Sequence, residues 1–196
     1  MFRTIIVALC VLGATSLGAA QATDDPKNEL FGGYSFHSAD INTLTIDPHR
    51  TSQNGVNVEY TRYVTKNLGF TVDVSAHFYR NTNPIPGGTF TSQRDQYYVL
   101  AGPQYKRHSE DRVQPFVHAL FGATIFHGLT TSVTPGGNVF TMDDVNGFGM
   151  ALGGGLDVRV NKHFEVRLIQ ADFTPTHLGP GWQTNYRIGV GVIFKR

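Results

Sequence analysis

The sequence predicts an all-β chain, an eight-stranded antiparallel up-and-down transmembrane β-barrel, and three observations carry that prediction. Eight segments alternate apolar and polar residues with a period of two, and no amphipathic helix of useful length competes with them. The connections between these segments alternate strictly between long and short. Asp, Glu, Lys and Arg together make up 16% of the chain, well below the ~25% of an ordinary soluble domain, while 40% is hydrophobic, too much for disorder. A surface that faces lipid explains a shortage of charge without a shortage of structure.

The eight segments run over residues 29–38, 55–65, 68–79, 95–105, 113–127, 146–159, 163–173 and 184–195. All are long enough for the ~9–11 residues that a tilted strand needs to cross a bilayer. Long connections cover 39–54, 80–94, 128–145 and 174–183, rich in Thr, Ser, Asn, Pro and Gly, as in Asn83-Pro84-Ile85-Pro86-Gly87-Gly88. Short ones are Lys66-Asn67, Lys106 to Arg112 and Asn161-Lys162. A meander puts all long connections at one end and all short turns at the other. Outer-membrane barrels have that asymmetry, with short turns in the periplasm and long loops outside.

Facing decides between a membrane barrel and a soluble one. In the last segment Tyr186, Ile188, Val190, Val192 and Phe194 share one face, and Arg187, Gly189, Gly191, Ile193 and Lys195 the other. In the sixth, Phe148, Met150, Leu152, Leu156 and Val158 oppose Gly147, Gly149, Ala151, Gly153, Gly155 and Asp157. In the third, Leu68, Phe70, Val72, Val74, Ala76 and Phe78 oppose Gly69, Thr71, Asp73, Ser75, His77 and Tyr79. One face is bulky and apolar; the other is small, polar or charged. A soluble ligand-binding barrel reverses this. An Arg on the lipid face near the midplane costs ~2–4 kcal/mol, so Arg167 and Arg187 point inward. Arg62 shares the parity of Val56, Val58 and Tyr60 and is expected to snorkel beside a short turn. The first, fourth and fifth segments carry apolar residues on both parities, Tyr97, Val99, Ala101 and Tyr105 against Tyr98 and Leu100 for example, and their facing stays open.

The inward set contains Glu59, Asp73, Asp157, Glu165, Arg167 and Arg187, with Tyr63, His77 and Gln104. An eight-stranded barrel is just wide enough for side chains to fill it. Buried charges in so small a lumen pair or hold water, so the first expectation is a salt-bridged plug and the second a narrow pore. Gly149, Gly153, Gly155, Gly189 and Gly191 either make room for long Arg side chains or leave a water path. Two interfacial girdles are expected, Tyr34, Phe36, Phe78, Tyr79, Phe126, Phe173 and Trp182 near the long connections, and Tyr60, Tyr63, Phe70, Tyr105 and Phe164 near the short turns.

The chain opens with an export signal. Arg3, an apolar run from Thr4 to Leu12 and the small-x-small site Ala20-Gln21-Ala22 read as a signal peptide cleaved after Ala22, leaving residues 23–196 as one barrel domain. A lipoprotein reading of Cys10 fails because bulky Leu9 precedes it. Removal of the leader takes one of the 16 basic residues and leaves 15 against 15 acidic ones, with no cysteine. That balance argues against nucleic acid as a partner, and the mature chain has no disulfide framework or Cys-rich metal module.

Chemistry elsewhere is sparse. The eight histidines, at 37, 49, 77, 108, 118, 127, 163 and 177, lie singly and without convincing ligand spacing, so no metal and no cofactor is expected and each is read as an interface or rim residue. No catalytic residue is assigned.

The terminal Tyr186-x-Ile188-x-Val190-x-Val192-x-Phe194 pattern resembles the signal read by the barrel-assembly machinery, except that Lys195-Arg196 follow the aromatic residue. With Phe31-Gly32-Gly33-Tyr34-Ser35-Phe36, Leu100-Ala101-Gly102-Pro103-Gln104-Tyr105 and Gln114-Pro115-Phe116-Val117-His118-Ala119-Leu120-Phe121-Gly122, the mature chain resembles the OmpA-like outer-membrane β-barrel superfamily over its whole length. The resemblance implies an eight-stranded barrel in a Gram-negative outer membrane, in contact with lipid and lipopolysaccharide; it does not imply one activity. A structural or surface-interaction role is expected, with the four long connections as the surface for any ligand. Lipid A deacylases on such barrels carry a His-x-Ser pair. This chain has only the adjacent His37-Ser38 and His108-Ser109, whose side chains point to opposite faces on a strand, so a lipid-modifying enzyme ranks after a narrow pore.

Overall fold

The structure, a computed structural model, describes residues 27–40, 50–86, 88–134, 138–141, 144–178 and 181–196. The leader, its cleavage site after Ala22 and Cys10, and positions 41–49 of the first long connection, lie outside the described residues. In chain order the strands are β1 (Asn28–Asp40), β2 (Arg50–Tyr63), β3 (Leu68–Ile85), β4 (Gly88–Lys106), β5 (Val113–Thr134), β6 (Asn138–Thr141), β7 (Val145–Arg159), β8 (Phe164–Phe173), β9 (Thr176–Leu178), β10 (Gly181–Gln183) and β11 (Tyr186–Lys195).

Eight of them close a ring. Antiparallel pairing runs β1-β2-β3-β4-β5-β7-β8-β11, and β11 returns to β1 in register from Glu29↔Lys195 to Ser38↔Tyr186. Closure satisfies every backbone group along the ring without an open edge, the condition for crossing hydrocarbon with strands. The short turns are tied by local polar groups. Val64 and Thr65 donate their amides to the Leu68 carbonyl, and the Asn161 side chain accepts from the amides of His163 and Phe164. Arg159 secures the turn between β4 and β5 by donating to the carbonyls of Ser109 and Asp111.

The apolar face named from the sequence points out. Val56, Val58, Phe70, Phe148, Leu168, Ile188, Val190 and Val192 are all exposed on the ring's exterior. Arg62 is also outward, beside the first short turn and opposite Asn28. The facing left open for the first, fourth and fifth segments resolves with Phe31, Tyr98, Leu100, Phe116 and Leu120 buried inside. Part of the lumen wall is therefore apolar: Tyr98, Leu100, Leu120 and Ala151 pack into one cluster. Apolar residues on both parities of β4 and β5 follow from that cluster inside and lipid outside.

The long connections are shorter than the sequence suggests. Residues 80–94 form a hairpin whose β3 and β4 arms are 18 and 19 residues long, and β5, of 22 residues, overruns 127 to pair with β6. Thr is a good strand former, and facing hydroxyls such as Thr82 and Thr91, 3.2 Å apart, hold the hairpin arms together. Pro84 fits because β2 pairs with β3 only as far out as Phe78, leaving the last part of β3 an edge among the described residues. These strands exceed the ~9–11 residues of a membrane crossing, so a sheet of β3, β4, β5 and β6 stands beyond the bilayer.

Three aromatics leave the predicted girdles for the lumen: Tyr63, Phe126 and Tyr79, the last on the parity of buried His77 and in register with Arg94. Tyr63 and Phe126 are 8% and 6% exposed and face the lumen, because they share parity with Glu59 and Thr124 rather than with the outward residues. Phe164, Phe194, Phe173, Tyr186 and Trp182 do lie outside, with Phe164–Phe194 and Phe173–Tyr186 ring centroids 5.3 and 5.6 Å apart.

Candidate functional site

The candidate site is the lumen. Glu59, Asp73, Asp157, Glu165, Arg167 and Arg187 are all buried there. Residues more than a hundred positions apart meet because the ring brings opposite walls together. Arg187 bonds Asp73 and Asp172, each at 2.8 Å, and Ser75 at 3.1 Å. Arg167 bonds Asp157 at 2.9 Å, Glu59 at 2.6 Å and Gln170 at 2.7 Å. Asn57 donates to both Glu59 and Asp73, at 3.0 and 3.2 Å, and so joins the two clusters.

Toward the short-turn end the chain of contacts continues through Glu29 and Lys106, which the sequence reading did not select. Lys106 meets Glu29 at 3.0 Å, Asp157 at 2.9 Å and Glu165 at 2.5 Å, and Lys195 meets Glu165 at 2.5 Å. Tyr63 donates to Glu29 at 2.9 Å and accepts from Gln104 at 3.0 Å. His118 and His108 face carboxylates of Asp172 and Glu29, at 2.9 and 3.3 Å. His37 and His118, expected at the rim, are thus inside the lumen, together with His77, which the alternation of its segment already places there.

Asp172 and Gln170 enter the lumen through a β-bulge. Opposite β11, Gly189 pairs with Gln170 and Gly191 with Arg167, so β8 carries one extra residue between them. Leu168 and Ile169 are both exposed, and the parity of everything after them is inverted.

Arg167 lies between two aromatic faces. Its guanidinium carbon is 4.3 Å from the Phe31 ring centroid and 4.0 Å from that of Phe116. Two of the inward glycines make the space: a Cβ on Gly191 would lie 2.7 Å from a Phe31 ring carbon, and one on Gly155 would lie 2.8 Å from a Phe116 ring carbon. The same Cβ atoms would lie still closer to backbone of the adjoining strands, the Gly32 carbonyl oxygen for Gly191 and that of Ile169 for Gly155. Gly191→Val or Gly155→Val is therefore expected to displace strand and ring together and to cost at least about 1–3 kcal/mol, the usual range for overpacking. The temperature at which the unboiled gel band loses its compact mobility measures this; an unchanged temperature would refute the account of these glycines.

Beyond the Arg187 level the lumen is uncharged for one layer. His37 and His77 stack at 4.6 Å, Tyr98 bonds His37 at 3.1 Å, and Ser35 bonds His77 at 2.9 Å. The Ser35–His77 pair is a nucleophile–base spacing. It is fully buried inside the barrel, His77 Nδ1 has no partner among the described residues, and neither group faces the acyl chains of the bilayer.

Residues 7–194 match the outer membrane protein beta-barrel domain family. The chain belongs to that family. This outer-membrane barrel is similar in structure to Ail, the attachment invasion locus protein of Yersinia pestis, solved in complex with the heparin analogue sucrose octasulfate. That match has a TM-score of 0.59 and 17% identity, over 87% of this chain and 99% of that one. Neisserial surface protein A gives a TM-score of 0.51 and 14% identity, over 90% and 100%. No curated protein is significantly similar to the barrel in sequence. Family and fold together place it in the outer membrane, with the short turns and both described ends of the ring on one side and the projecting hairpins on the other.

Proposed function

We propose that this outer-membrane barrel is a closed, non-enzymatic envelope protein, its lumen plugged by ion pairs and its extended hairpins serving as the surface that meets other molecules. The observation that carries the reading is the unbroken sequence of contacts from Glu29 through Lys106, Asp157, Arg167, Glu59, Asn57 and Asp73 to Arg187. Side chains of opposite walls meet across the lumen, so each charge along this run of contacts is matched by protein rather than by a column of water. The plug also ties β2, β3, β7, β8 and β11 together, which favours a structural role over a conducting one.

The same reading includes export with cleavage after Ala22, recognition of the terminal strand by the assembly machinery, and contact of the outward face with lipid and lipopolysaccharide. No cofactor, metal or nucleic acid takes part. A lipid-modifying reaction is disfavoured because the Ser35–His77 pair is fully buried and no carboxylate among the described residues completes it at His77 Nδ1. The hairpin of β3 and β4 is polar on both faces, with Arg80, Asn81, Thr82 and Asn83 exposed, and suits a surface contact made in water.

Planar-bilayer recording tests the plug. The purified barrel is expected to show no steady current at neutral pH, and Arg187→Ala, which leaves Asp73 and Asp172 facing each other, is expected to admit water and raise current bursts. A steady ohmic conductance in the unmodified protein would overturn the closed reading in favour of a narrow pore.

A further inference from the structure

Five Lys and Arg side chains are buried among the described residues, and four of them meet carboxylates: Lys106, Arg167, Arg187 and Lys195. Arg94 is the fifth, and it meets none among the described residues. It is 4% exposed and faces the lumen from the outer part of β4, paired in register with Tyr79 of β3. Its guanidinium carbon is 5.4 Å from the Phe126 ring centroid and 6.0 Å from that of Tyr79. Its Nε and Nη1 are buried with no hydrogen-bond partner among the described residues.

The surroundings lack carboxylates as well. No Asp or Glu occupies a described inward-facing strand position outward of Asp73 and Asp172. Gln96, the next inward residue on β4, donates to Tyr98, whose hydroxyl bonds His37, which in turn bonds Gln53 Oε1 at 3.2 Å. The Nε2 of that same Gln53 is a second buried donor with no partner. The outer layer of the lumen therefore presents a fixed cation and spare N–H groups with no anion among the described residues to receive them. An unpaired buried charge is expensive, and two aromatic faces at 5–6 Å offset only part of it. A planar guanidinium with free N–H groups is the protein group best matched to a tetrahedral oxyanion.

We infer that Arg94 anchors an oxyanion site at the outer mouth of the lumen, which takes a sulfate or phosphate group arriving from outside the cell. The ligand is either the free ion or that group on a saccharide. The projecting hairpins leave the site inside the barrel rather than on the loop surface, so it selects for a single compact anionic group and not for net negative charge.

Calorimetric titration of the refolded barrel in neutral detergent tests this, with inorganic sulfate, inorganic phosphate and a sulfated disaccharide each added at constant ionic strength against chloride. At least one of the three is expected to bind saturably at one site per chain. Arg94→Gln is expected to weaken that binding by roughly tenfold or more, Arg94→Lys by less, and Arg80→Gln, an exposed arginine on the same hairpin, not at all. Binding of the inorganic ions identifies a free-ion site, and binding of the disaccharide alone identifies a saccharide-borne group. Absence of saturable binding by all three, or equal binding by Arg94→Gln and the unmodified protein, overturns the inference. Should Arg94→Gln fail to fold, the unmodified titration and Arg94→Lys still decide it, because a site that does not use Arg94 leaves the lysine variant unchanged.

Discussion

Arg167→Met is expected to lower the stability of the barrel by about 3–5 kcal/mol, the cost of removing one partner from a buried charge cluster. The substitution keeps an unbranched chain between Phe31 and Phe116, so packing loss is small. What it removes is the cation that bonds Glu59 and Asp157. Asp157 retains Lys106, 2.9 Å away, while Glu59 keeps only neutral donors, Asn57 and Gln170 at 3.0 and 2.8 Å. Glu59 is therefore the residue that suffers, and Arg167→Met with Glu59→Gln is expected to recover much of the loss, since replacing both partners removes the uncompensated charge. Arg167→Lys separates charge from shape: it keeps the cation but cannot lie flat between two rings or fork between two carboxylates, so an intermediate loss of about 1–2 kcal/mol is expected. Urea unfolding in vesicles, followed by the fluorescence of Trp182, measures all four. An Arg167→Met midpoint equal to that of the unmodified barrel would falsify the structural weight placed on the cluster.

The residues of this cluster differ in how visible they are in the sequence, and the physical reason differs for each. Arg167, Arg187, Asp73 and Asp157 stand on strands with clean alternation, where a charge among glycines and a bulky opposite face leave one consistent orientation. Glu29 and Lys106 stand at strand ends, where alternation has no flanking residue to support it, and Lys106 reads as the first residue of a turn. Asp172 and Gln170 are hidden by the bulge at Leu168-Ile169, which inverts parity. Two adjacent apolar residues followed by polar ones on the opposite parity are the available signal, and the cost of an Asp in lipid gives it force. His118 shares β5 with Phe116 and Leu120, inward residues as apolar as those facing lipid, so no alternation marks its direction. Pairings across the lumen, Arg187 with Asp73 or Arg167 with Glu59, depend on closure and register, which no local pattern encodes. The projecting sheet has the opposite problem: Thr, Asn, Ser and Pro mark loops by composition, yet the same threonines pair well as strands once a neighbour is present.

Val190→Arg is the second large effect, about 2–4 kcal/mol against insertion, the cost of a cation on the lipid face near the midplane. Val190 lies halfway along β11, outward and 44% exposed, opposite Tyr34 of β1, which therefore stands at mid-depth rather than in the outer girdle expected of it. Its neighbours in the strand, Gly189 and Gly191, face the lumen, so the arginine cannot turn inward without carrying the backbone with it. Snorkelling is least effective at this depth because the guanidinium is equally far from both interfaces. Leu30→Arg supplies the comparison: Leu30 is also outward, but it stands beside the short-turn end of β1, where the same substitution is expected to cost about 0–1 kcal/mol. Folding into phospholipid vesicles, titrated with urea, reads both. The difference between the two positions matters more than either value, because a soluble barrel with an apolar surface would respond to both alike. A gradient that falls from Val190 toward Leu30 requires a slab of low dielectric centred on the ring, and equal costs at the two positions would remove the bilayer from the account of why this chain has so few charges on its outer face.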